Sequence, residues 1–185
     1  MKSLVTVAVI LFLFQGPESA HAQQKFELSQ SLSVCGGLYA ASGFGNNFYT
    51  TGRYDYFLGG GRYFVEGSVG IGSLQSNVIG TVTKAAIFTS NNLVTYEFSF
   101  AYDYAPGGAL PFFTFGVGGV REGEETHFAA VIGIGKRIHM PGFLGSNALG
   151  FRWDLRDQIF SQQINNSSPF VVHNIVATLG LQIYF

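Results

Sequence analysis

The sequence predicts an all-β chain, eight strands in an antiparallel up-and-down meander closed into a barrel. Three observations predict it. Apolar and polar side chains alternate with a period of two along one segment after another, the mark of a strand whose two faces meet different surroundings. Compact turn signals, Gly59-Gly60-Gly61 and Ala105-Pro106-Gly107-Gly108, separate such segments. Only 11% of the 185 residues are charged whereas 16% are aromatic, against about 25% charged in an ordinary soluble domain. The mean hydropathy is accordingly positive, +0.26, so something other than water faces much of this protein.

The same arithmetic excludes several classes. Nineteen Phe, nine Tyr and few charges rule out intrinsic disorder. Ten Lys and Arg against eleven Asp and Glu leave no basic excess for binding nucleic acid. One cysteine, Cys35, cannot make an internal disulfide.

Residues 1–22 read as a signal peptide. Met1-Lys2-Ser3 is a short basic start, Leu4 to Phe14 is apolar, and Ala20-His21-Ala22 is a small-x-small cleavage site. Eleven helical residues span about 16 Å, too short to cross a bilayer. The mature domain is then 23–185, and it leaves the cytoplasm.

Within it, eight strands are expected at 30–41, 47–58, 62–73, 92–104, 110–120, 126–138, 148–160 and 171–185. In the fourth, Val94, Tyr96, Phe98, Phe100, Tyr102 and Tyr104 oppose Thr95, Glu97, Ser99, Ala101 and Asp103. In the seventh, Leu149, Phe151, Trp153, Leu155 and Ile159 oppose Gly150, Arg152, Asp154, Arg156 and Gln158. In the eighth, Ile175, Ala177, Leu179, Leu181, Ile183 and Phe185 oppose Asn174, Val176, Thr178, Gly180, Gln182 and Tyr184. The two glycine turns and residues 139–147 (HMPGFLGSN) lie at one end. Residues 42–46, the long stretch 74–91, 121–125 and 161–170 form the loops of the other end.

Assigned by parity, one face takes nearly all the large apolar and aromatic residues. The other takes Gly, Ser, Thr and a neutral set of ten charges: Arg53, Arg62, Arg137, Arg152 and Arg156 with Asp55, Glu66, Glu97, Asp103 and Asp154. A soluble barrel would turn the apolar face inward. Few charges, in balanced number and beside small residues such as Ser68, Gly70, Gly133 and Gly135, fit a confined interior. The uncharged aromatic face fits lipid, where open sheet edges are not viable and the sheet must close. The expectation is a transmembrane barrel.

These features resemble the small eight-stranded outer-membrane β-barrels of Gram-negative bacteria, the class that includes the OmpA transmembrane domain and opacity-like proteins. The most specific part is the last strand, Leu179-Gly180-Leu181-Gln182-Ile183-Tyr184-Phe185, with its terminal Phe. The run Arg152 to Phe160 with His173-Asn174 and Gly180 is similar to the last hairpin of deltaproteobacterial-type outer-membrane β-barrel domain proteins. The resemblance implies residence in the outer membrane among its lipids and lipopolysaccharide. It also implies that Phe185 is a signal for the outer-membrane assembly machinery. The chain departs from full-length OmpA by ending at the barrel, so no cell-wall tether is inferred.

No catalytic site, metal site or cofactor is expected. His21 leaves with the signal peptide, and His127 and His139 fall near strand ends as interfacial polar residues. His173, opposite Asp157 across the last hairpin, is the best catalytic candidate, yet no serine stands in an H-x-S arrangement with it. Glu122, Glu124 and Glu125 read as a solvated loop. GVGG (117–120) and GIG (133–135) are close-packing strand glycines, because no helix follows to make a phosphate site. The function expected is structural or surface interaction, with the outer loops presented to host, phage or neighbouring cell. The alternative is a narrow porin or small-solute channel, and behind that a lipid-modifying enzyme. Eight strands leave an interior that side chains just fill, which favours the first.

Overall fold

The computed structural model describes residues 29–41, 46–79, 86–106, 110–144, 146–162 and 168–185. The signal peptide and its cleavage site lie outside them. The strands are β1 (Gln30–Ala40), β2 (Asn46–Leu58), β3 (Tyr63–Ile79), β4 (Ala86–Asp103), β5 (Phe112–Glu122), β6 (Glu125–His139), β7 (Leu149–Gln162) and β8 (Phe170–Tyr184). Each pairs antiparallel with the next, and β8 returns to β1, giving a closed eight-stranded barrel in up-and-down order. No helix among the described residues is long and apolar enough to cross a membrane, which says nothing of crossing by strands.

Local chemistry sets the ends of the strands. Gly59, Gly60 and Gly61 all take positive φ (58°, 70° and 86°), a conformation that costs a side-chain-bearing residue strain, and so turn β2 into β3 within one short 3₁₀ segment. The closing seam rests on another glycine. Gly180 of β8 lies opposite Cys35 of β1, and a Cβ there would sit 2.6 Å from the Cys35 Cα and run into the Val34 carbonyl.

Two expected loops are strands. Residues 74–91 do not form a long connection. β3 continues to Ile79 and β4 begins at Ala86, in unbroken register from Ser73↔Asn92 to Ile79↔Ala86. The β2–β3 ladder ends at Tyr49↔Gly72 and the β4–β5 ladder begins at Leu93↔Glu122, so this ribbon runs on past the barrel wall. Leu74 still packs in the interior; beyond it the ribbon has left the ladders of β2 and β5, so no barrel interior selects an apolar parity there. Likewise 121–125 shrinks to a two-residue turn, Gly123-Glu124, with Gly123 at φ 65°.

Because the ribbon pairs only with itself, excising Gln75–Ser90 and rejoining the strands is expected to leave the barrel assembled. Shortening a surface connection changes closure entropy by less than about 1 kcal/mol. Urea unfolding of the refolded deletion checks this, and loss of refolding would mean that the ribbon contributes to the barrel itself.

The interior has three layers. At the terminal end, Phe57, Phe64, Ala101, Phe112 and Tyr184 pack as a floor, with Phe64 and Phe112 edge to face at 5.2 Å. At the loop end, Tyr39, Tyr49, Leu74, Leu93, Val120, Ala129, Phe160, Val172 and Val176 make a roof. Charged residues fill the space between. The expectation that one face takes almost all the large apolar residues is therefore corrected. At the ends of the barrel the inward positions are apolar and aromatic too.

Candidate functional site: a sealed charge layer inside an apolar wall

Alternation along β2, β3, β4 and β7 aims Arg53 and Asp55, Glu66, Glu97, and Arg152, Asp154 and Arg156 at one level of the interior. All seven are buried. Arg152 is the hub. Its Nη1 donates to both oxygens of Asp55 (3.0 and 2.9 Å), its Nε and Nη2 clasp Asp154 (2.7 and 2.9 Å), and Nη2 also pairs with Glu66. Arg156 joins Glu66 (2.7 Å), Glu97 (2.8 Å) and Asp154 (3.0 Å). Arg53 donates to Glu66 at 2.9 Å. A guanidinium presents five donors in a planar fork, which is why one arginine can bridge three carboxylates.

Three guanidiniums face four carboxylates in this layer, and neutral donors help to satisfy the extra oxygens. Ser31 (2.8 Å) and Gln182 (2.9 Å) donate to Asp55, and Gln158 donates to Glu97 at 2.5 Å. Tyr39 links Gln158 to Asn174 in the roof, donating to the first (2.9 Å) and accepting from the second (2.8 Å). The predicted charge set left out Ser31, and also Gln158 and Gln182 although both were placed on its face. Their parity, shared with the interior charges of their own or neighbouring strands, was the available signal.

The other three of the ten predicted charges lie elsewhere. Arg137 and Asp103 form a separate pair at the terminal mouth (2.7 Å), with the Arg137 guanidinium stacked over Phe57 (4.6 Å) and Phe64 (4.3 Å). This is cation–π geometry, so the arginine both neutralises Asp103 and lids the aromatic floor. The dent left beside it, lined by Phe57, Gly61, Asp103, Pro106, Arg137, His139 and Tyr184, measures about 30 Å³, room for little more than a water. Arg62 is a correction. It sits exposed in the turn after Gly61, one residue before β3 begins, because the glycine turn takes up the position that parity gave to the strand.

The outward face carries the apolar residues. Leu32, Val34, Val69, Ile71, Ile132, Leu155, Leu179 and Leu181 are all exposed. Toward the terminal rim they give way to Tyr54, Tyr56, Tyr63, Tyr104 and Phe113, with Tyr63 packed on Tyr102 at 5.3 Å. Phe48 and Phe128 stand exposed toward the loop end. Phe185 also faces outward, its backbone paired with Gln30 at 3.0 Å.

His173 and Asp157 do meet. Nδ1 lies 2.8 Å from the carboxylate, on the exterior of β7 and β8. Ile132 lies beside Asp157 and Ile159 beside His173 in the ladder. The other histidines are elsewhere. His127 stacks on Phe160 at the loop end (5.0 Å), and His139 contacts the Asn147 carbonyl (2.6 Å) at the terminal end. Glu122 points inward and accepts from Asn174 (3.3 Å), while Glu124 and Glu125 are exposed at the turn. Among the described residues no three His, Cys, Asp or Glu side chains gather where a metal ion could be held.

No protein-family model matches this chain, and no curated protein matches it. Among solved structures it is similar to the N-terminal β-barrel domain of Pseudomonas aeruginosa OprF. That match is 16% identical, with a TM-score of 0.47, and covers 84% of this chain and 97% of that one.

Proposed function

We propose that this protein is an integral barrel of a bacterial outer membrane, non-enzymatic, whose role is structural and recognitive. The carrying observation is the inversion of polarity. Charges are sealed in the middle of the barrel between an aromatic floor and an apolar roof, while the outer wall is apolar with aromatic rims. Water would reward the reverse arrangement, whereas a bilayer rewards this one, an apolar outer wall around a polar interior. The lipids of both leaflets, lipopolysaccharide among them, are the partners of that wall, and the outer-membrane assembly machinery is the partner in its insertion. The His173–Asp157 pair acts as a hydrogen-bonded tie between β7 and β8. The loop end faces outward and meets host, phage or cell-surface partners.

The narrow-channel reading makes the opposite use of the same interior, and conductance separates the two. With floor, charge layer and roof all filled by side chains, the refolded protein in a planar bilayer is expected to show no steady single-channel steps. Reproducible steps in most insertions would overturn the structural reading in favour of a pore.

A further inference from the structure

Barrel closure leaves the longest unpaired sheet edges among the described residues on one hairpin. Above the last rungs shared with β2 and β5, the β3–β4 ribbon is bonded only to itself. Among the described residues, its flanks along Leu74–Ile79 and Ala86–Asn91 are therefore two strand edges outside the barrel ladder. Strand edges are normally guarded by lysines, prolines or bulges. Here the register runs without a bulge, and neither segment contains a charged residue or a proline. The two edges are alike in length and opposite in direction, since β3 runs away from the barrel and β4 runs toward it.

We propose that this ribbon is a docking surface for a second copy of the same chain, the β3 edge of one molecule pairing with the β4 edge of its neighbour. The proposal rests on the membrane reading above, because a bilayer holds all copies with the same end up. Under that constraint β3 against a neighbour's β3 would pair parallel. β3 against a neighbour's β4 pairs antiparallel, the more stable ladder, with neither barrel inverted. Two uncharged edges also meet without repulsion or a stranded charge. Strand addition of this kind draws its affinity from main-chain hydrogen bonds, and confinement to one membrane raises the effective concentration of the partner edge. The contact is heterologous, so each pairing leaves one β3 edge and one β4 edge open for further copies.

That asymmetry supplies the test. The full chain, wild type or variant, is refolded into phosphatidylcholine vesicles, and association is read as energy transfer between donor- and acceptor-labelled copies. Flotation with the vesicles is scored separately. Gln75→Lys with Asn77→Lys blocks the β3 edge, and Thr89→Lys with Asn91→Lys blocks the β4 edge. Wild type is expected to associate, and each double variant alone to associate about tenfold more weakly, the loss of one or two net hydrogen bonds. A mixture of the two variants should recover pairing, because each supplies the edge that the other lacks, and should stop at dimers. Monomers in all four samples would overturn the proposal, whatever else the ribbon captures. Association of the β4-blocked variant alone as strong as wild type would overturn it too, because it would mean β3–β3 pairing. If wild type fails to float with the vesicles, the membrane reading fails. If it floats but stays monomeric, only the docking proposal fails.

Discussion

Replacing Arg152 by methionine is expected to cost about 3–5 kcal/mol of barrel stability, the range for a buried ion group broken by losing one partner. Arg152 is the one guanidinium of the layer that touches all three of Asp55, Glu66 and Asp154. Without it, two guanidiniums must hold four carboxylates in a volume closed to water at both ends. Asp154→Asn is expected to cost less than half as much. It leaves three guanidiniums against three carboxylates and keeps a hydrogen-bond acceptor for Arg152 and Arg156. Urea unfolding of the refolded proteins in lipid vesicles gives both values. Equal costs for the two variants would show that the layer is hydrated rather than sealed.

Leu179→Arg tests the other face. Leu179 points outward in mid-strand, 54% exposed, between Ala177 and Leu181. In a bilayer a cation near the midplane is expected to cost about 2–4 kcal/mol, falling toward the interfaces. Trp153→Arg should cost a similar amount, because Trp153 lies directly opposite Leu179 in the β7–β8 ladder. The same vesicle unfolding assay reads both. In a soluble barrel an arginine at an exposed position would be nearly silent, so a negligible cost for Leu179→Arg would remove the lipid from the description.

Strand number, order and facing were legible in the sequence, because alternation is a local property. Arg152, Asp154 and Arg156 share a side of β7 by the geometry of the pleat alone, whatever they later touch. Turn glycines likewise announce themselves through the backbone they permit. Legibility failed where the environment stops differing between faces. Beyond Leu74 the ribbon has left the ladders of β2 and β5, so its sequence lost the period and looked like a loop. Arg62 kept the right parity but fell in the turn. At the barrel ends, Phe57, Phe64 and Tyr184 occupy inward positions that a simple polar-inside rule assigns to small or charged residues.

Which charges meet was decided by closure. Arg152 and Asp55 are 97 residues apart and on strands that share no ladder. They bond because rolling the sheet brings β2, β3, β4 and β7 around one narrow axis at a common height. The sequence by itself therefore determined that ten charges would be few, balanced and mostly turned inward. Only the tertiary structure decided that seven of them form one layer centred on Arg152, that Arg137 and Asp103 stand apart, and that apolar side chains close both ends. The physical reason is that alternation is set residue by residue along a strand, whereas height and apposition across a barrel are set by the register of all eight ladders at once.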